Sequence, residues 1–132
     1  MNLNFSQSTG FVTKDDGTFV AKGWSGNDYR PKENPTRIQG RNNPAMQDKH
    51  CVGPLPRDMY RVGPWEPHAE LGQLSASLTS MGVGESFGRD GFYIHGPGGD
   101  DPANCSMGCI VIPHDARVAV AALNPTTITV TT

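Results

Sequence analysis

Sixteen glycines and eleven prolines interrupt this chain of 132 residues, and that punctuation limits what it can fold into more than any other feature. At this density glycine and proline break helices and mark turns, so short strands and tight connections must dominate. The length suits one domain, spanning 1–132, with a core that needs neither metal nor disulfide staples. The fold class expected is mainly β, with one or two short helices.

Alternation of apolar and polar residues locates the strands. In Phe92-Tyr93-Ile94-His95 the apolar positions recur every second residue, and Gly96-Pro97-Gly98-Gly99 must end that strand directly after the histidine. Residues 11–13 and 18–21 flank Lys14-Asp15-Asp16-Gly17, a hairpin signal with glycine where positive φ is wanted. Met59-Tyr60-Arg61-Val62 sits between Pro54, Pro56 and Pro64, and residues 74–79 alternate as another strand. A helix is expected over 116–123, with Asp115 as its N-cap after Pro113 and Asn124-Pro125 as its stop. Ile128 and Val130 alternate with threonines in a closing strand.

Residues 25–50 are polar, carry Pro31, Pro35 and Pro44, and read as one long loop. Loops of that length line clefts or fold on themselves through Asx turns, and Asn42, Asn43 and Met46 suit either use. Trp24 and Trp65 are expected in the core.

The chemistry concentrates at the second long connection. Cys109 opens Cys109-Ile110-Val111-Ile112, fourteen positions after His95. A free thiol is only a few per cent thiolate at neutral pH and needs a base, and His95 can be that base. The intervening loop lets the chain double back, pairing the strand from Cys109 beside 92–95 with thiol and imidazole at one sheet end. Gly108 has no Cβ to crowd backbone N–H groups, so residues 107–109 form a candidate oxyanion hole, with Ser106 available to the loop or to substrate. The second ring nitrogen of His95 needs an orienting partner, either a backbone carbonyl near Gly96 or the side chain of Asp100 or Asp101. Buried thiols and strand-end histidines are also ordinary core residues when taken singly.

Other classes fit less well. A formal net charge of −2 leaves no electrostatic footprint for nucleic acid or an anionic membrane. Residues 1–8 lack a basic start and an apolar run, and no later stretch could span a bilayer, so the residues alone imply a cytoplasmic chain without membrane insertion. Cys51, His95, Cys105, Cys109 and His114 are the only set with a claim to metal, and they lack a second paired half at zinc-site spacing, so no metal is expected. No Lys-Ser/Thr pair or helix follows Gly96-Pro97-Gly98-Gly99, which excludes a phosphate loop.

His-Gly followed by Ser-x-Gly-Cys-Ile resembles the signature of YkuD-type L,D-transpeptidases. Gly40-Arg41-Asn42-Asn43-Pro44-Ala45-Met46, Val52-Gly53-Pro54-Leu55-Pro56-Arg57 with Tyr60, Gly63-Pro64 and Gly88-Arg89-Asp90-Gly91 extend the likeness, over about 40–113, to L,D-transpeptidase effectors of bacterial type VI secretion. The resemblance implies a cysteine enzyme without cofactor on an L,D-transpeptidase-like β-sandwich or barrel, acting on peptidoglycan stem peptides in the periplasm of a target cell. It also implies delivery by the secretion apparatus without a signal peptide, and a cognate immunity protein. Carried over by residue, Cys109 is the nucleophile, His95 the base and acid, and Ser106 and Gly108 the supporting loop. The family pattern often has histidine where Met107 stands and arginine where Val111 stands. Arg89 is the expected replacement for gripping a substrate carboxylate, with a solvated turn as the alternative. Gly96, Met107, Asn42 and Asn43 are the further candidate substrate contacts. In a periplasm, Cys51 and Cys105 have three options: a disulfide, a resolving role of Cys105 toward Cys109, or two inert buried thiols.

Overall fold

The structure is a computed structural model, and it describes residues 1–26, 28–29, 38–49, 52–68, 72–96 and 108–132. The alternating segments form β1 (Asn2–Ser6), β2 (Phe11–Lys14), β3 (Phe19–Lys22), β4 (Trp24–Ser25), β5 (Asp28–Tyr29) and β6 (Ile38–Gln39). They continue as β7 (Met59–Val62), β8 (Glu66–His68), β9 (Gly72–Ser80), β10 (Phe92–His95) and β11 (Ile110–Val111), then α1 (His114–Ala122) and β12 (Thr127–Thr131). The mainly β expectation holds, with α1 as the α-helix among the described residues.

Nine strands follow one another in the order β3-β2-β1-β12-β7-β9-β10-β11-β4, and β8 adds to β9. The two ends of that order, β3 and β4, are consecutive in the chain with Gly23 between them, so a single segment over 19–25 pairs with β2 at one end and with β11 at the other. The sheet is thereby a nearly closed barrel. Its inner residues come from alternate strand positions: Leu3 and Phe5 of β1, Val12 of β2, Tyr60 of β7, Leu78 of β9, Phe92 and Ile94 of β10, Ile128 and Val130 of β12. The Tyr60 and Phe92 rings meet edge to face at 5.8 Å, and the Tyr60 hydroxyl donates to the Pro56 carbonyl at 2.7 Å, which satisfies its one polar atom in the core. Val120 of α1 joins the same core.

The hairpin expected around 14–17 is present, with Gly17 at φ 88° and the Lys14 N–H donating to Thr18. Three sequence readings change. The stretch 25–50 is not a plain loop: it holds β4, the small antiparallel pair β5–β6 and a 3-10 turn over Pro44–Met46. Helix α1 begins earlier than expected, with Pro113 at the cap position and Asp115 inside the first turn, where an acidic side chain favours the positive end of the helix dipole. Its stop is as read, since Asn124 turns at φ 49° before Pro125. Finally, β10 and β11 do not double back. They run parallel, Ile94 beside Ile110 and His95 beside Val111, because the intervening residues are long enough for a crossover.

Candidate active site

Phe92 and Ile94 point into the core, so Tyr93 and His95 project from the opposite face of β10. On the adjoining strand Ile110 and Ile112 enter the core, and Cys109 and Val111 therefore share the face of Tyr93 and His95. Cys109 lies beside Tyr93, whose backbone N–H donates to Sγ at 3.3 Å, where a ladder carbonyl would otherwise stand. His95 is one diagonal step further along the same face. The pairing also ties the backbones, with the Ile112 N–H donating to the His95 carbonyl at 2.9 Å.

His95 is buried, and its Nδ1 lies 2.7 Å from the carbonyl oxygen of Gly96. A carbonyl only accepts, so Nδ1 carries the hydrogen and Nε2 of the neutral ring holds the lone pair. Of the orienting partners considered from sequence, the Gly96 carbonyl fills the role. Asp100 and Asp101 lie outside the described residues, as do Ser106, Met107, Cys51 and Cys105.

The thiol stands in an apolar setting. Cys109 is 2% exposed, and burial pushes its pKa up to about 12, against the opposing pull of the Tyr93 N–H and the Arg89 cation. Gly108 before it has φ 92°, a conformation that favours glycine, and a Cβ there would fall 2.6 Å from Nη2 of Arg89. This close approach is the reason for glycine at the position, in addition to any use of its N–H.

Arg89 is not available to a substrate carboxylate in the way its sequence position suggests, nor is it a solvated turn residue. It is 4% exposed, and its guanidinium donates to the carbonyls of Gln47, Pro54 and Gly53, the last two at 2.9 Å. Three carbonyl acceptors make it a strut between the 47–54 loop and the turn that presents Cys109.

Asn42 and Asn43 also act on the backbone. Asn42, at φ 50°, exchanges bonds with Ser25: its N–H donates to the Ser25 carbonyl at 2.9 Å, and its Oδ1 accepts from the Ser25 N–H at 3.1 Å. Asn43 caps the 3-10 turn by accepting from the Ala45 N–H. Of the two uses considered for these asparagines, the local Asx turn is made by Asn43, whereas Asn42 ties its segment to Ser25, 17 positions earlier. Gly96 packs directly against Arg117 of α1.

Two residues of this region escaped the sequence reading. Ser25, fully buried, donates from Oγ to the Gly108 carbonyl at 2.9 Å and accepts from the Leu55 N–H at 2.7 Å. Arg117, 6% exposed, lies against Gly96, the residue after the candidate base. A serine in a polar stretch and an arginine on a short helix carry no local signal of such roles. His114 is exposed and near Asp115, away from any cluster: no group of three or more His, Cys, Asp or Glu side chains suited to a metal comes together among the described residues. No described helix is long and apolar enough to cross a membrane.

No family model, curated protein or solved structure matches this chain.

Proposed function

We propose that the chain is a cysteine-dependent peptidoglycan-modifying enzyme, an L,D-carboxypeptidase that cleaves the diaminopimelate–D-alanine bond of tetrapeptide stems, with exchange of that D-alanine for another D-amino acid as its transferase mode. The observation that carries this reading is the 2.7 Å approach of His95 Nδ1 to the Gly96 carbonyl, which orients a ring one diagonal step from Cys109 on the neighbouring strand. The motif resemblance supplies the substrate.

The chemistry follows from the two side chains. With a thiol pKa near 12, a standing thiolate–imidazolium pair is disfavoured, so His95 Nε2 takes the Sγ proton as sulfur attacks the stem carbonyl. The new S–C bond and the departing C–N bond pass through a tetrahedral oxyanion, for which backbone N–H groups near Gly108 and Cys109 are the candidate donors. The imidazolium returns the proton to the D-alanine amine as it leaves, and a thioester remains. Water, or the amine of a free D-amino acid, then attacks the thioester while His95 takes its proton, and the proton returns to sulfur as the thiol is released. No cofactor enters the balance. In this reading the protein is a toxin delivered by type VI secretion to a rival's periplasm and neutralised at home by an immunity protein.

Burial of Cys109 favours a second reading, a wall-binding module in which the thiol is inert packing. One experiment separates the two. Purified protein and its Cys109→Ala variant are incubated with disaccharide tetrapeptide, with and without a D-amino acid, and the products are weighed by mass spectrometry. Loss or exchange of D-alanine only with the intact thiol supports the enzyme; sacculus binding that is unchanged by Cys109→Ala, with no product from either protein, supports the module.

A further inference from the structure

Helix α1 buries a cation that the reaction above does not use. Among the described residues the Arg117 guanidinium makes no hydrogen bond and no ion pair, and its Nε is sealed from solvent without a partner. The other buried arginine, Arg89, donates to three carbonyls, so burial by itself does not prevent a guanidinium from being satisfied here. A guanidinium keeps its charge in such surroundings, and an unpaired buried charge is costly, so the position calls for an anion.

Where that anion would sit is set by Gly96. A Cβ on Gly96 would fall 2.3 Å from Nη1, 2.7 Å from Cζ and 2.9 Å from Nη2 of Arg117, so the guanidinium occupies the space a side chain would fill. The same Gly96 supplies the carbonyl that orients His95. The unpaired fork is thus one residue from the candidate base, and a guanidinium fork matches a carboxylate with two parallel bonds.

We propose that Arg117 is the anion-binding residue of this site and receives a carboxylate of the peptide ligand beside Gly96. The identity of the ligand rests on the function proposed above, whereas the cation's need for an anion does not.

Two measurements test it together. The Arg117 Nε–Hε resonance of the whole protein is followed by NMR during titration with acetate and, separately, with acetamide. Hydrolysis is then compared for disaccharide tetrapeptide and its C-terminal amide, using the native protein, Arg117→Gln and Arg117→Lys. The expected results are a saturable shift with acetate and none with acetamide, and at least a tenfold preference for the acid over the amide. Arg117→Gln abolishes that preference through KM with kcat nearly kept, and Arg117→Lys retains part of it. Equal kcat/KM for acid and amide, or no response to acetate, overturns the carboxylate site even when tetrapeptide is hydrolysed. A saturable acetate response with no hydrolysis of tetrapeptide supports the site and counts against the substrate instead. If Arg117→Gln fails to fold, the NMR titration of the native protein and the Arg117→Lys kinetics decide.

Discussion

The hydroxyl of Ser25 donates to the carbonyl of Gly108 at 2.9 Å and at the same time accepts from the Leu55 backbone. One buried oxygen therefore joins the turn before Cys109 to the 52–57 segment. Ser25→Ala leaves a buried N–H and a buried C=O without partners, a loss of about 2–4 kcal/mol. Urea denaturation should show it as a lower midpoint at unchanged m. A loss under about 0.5 kcal/mol would mean that both groups find other partners.

Gly108→Ala meets two obstacles at once, a left-handed φ of 92° and the Arg89 guanidinium at 2.6 Å from the new methyl. The expected destabilisation is about 2–4 kcal/mol, from backbone strain and overpacking together. The double variant with Arg89→Ala relieves only the packing part, so its cost falls below the sum of the single costs; strict additivity in a double-mutant cycle would contradict the contact.

Arg89→Met deletes three donors and leaves three backbone carbonyls to be satisfied, with an expected loss of about 3–5 kcal/mol. Arg89→Lys recovers part of it. A residue that grips substrate would behave in the opposite way, raising KM at unchanged stability, so thermal unfolding and steady-state kinetics on the same preparation decide between the roles.

The Cys109 thiol, pushed up to about 12 by burial, is protonated in the folded protein well beyond the pH at which an unfolded thiol ionises. At pH 8 its thiolate fraction is about a thousandfold lower than that of a free cysteine. Alkylation by iodoacetamide, assigned to Cys109 by peptide mass, should be correspondingly slow and rise about tenfold per pH unit without a plateau up to about pH 10. The same shift makes stability depend on pH. Below about pH 8 both states hold the proton and nothing changes; from there to about pH 12 only the unfolded chain releases it, so stability falls as pH rises. Cys109→Ala removes this component, and an alkaline stability profile identical in both proteins would refute the raised pKa.

Local pattern made the strands around Tyr60, Ile94 and Ile128 legible, because alternation records which face is buried. It did not expose β1, although Leu3 and Phe5 alternate, because the partner that justifies the strand is β12 at the far end of the chain. The direction of β11 was equally hidden, since residues between two strands do not state whether the chain crosses over or turns back. At the site, the placement of His95 and Cys109 at adjoining strands and the Gly96 carbonyl beside the His95 ring were readable from motif and glycine pattern. The strut Arg89, the hub Ser25 and the buried Arg117 were not, because each takes its role from residues distant in sequence.

The closure of the barrel by the single segment 19–25 has a kinetic consequence. Ile110 of β11 pairs with Ser25 of β4, 85 positions earlier, and with Ile94 of β10 across a crossover. Neither partner is local, so loop entropy must be spent before this pairing stabilises anything. The β2–β3 hairpin and the β9–β10 pair can form early, whereas the thiol acquires its surroundings only when the hoop is completed, which makes its protection from alkylation a late marker of refolding.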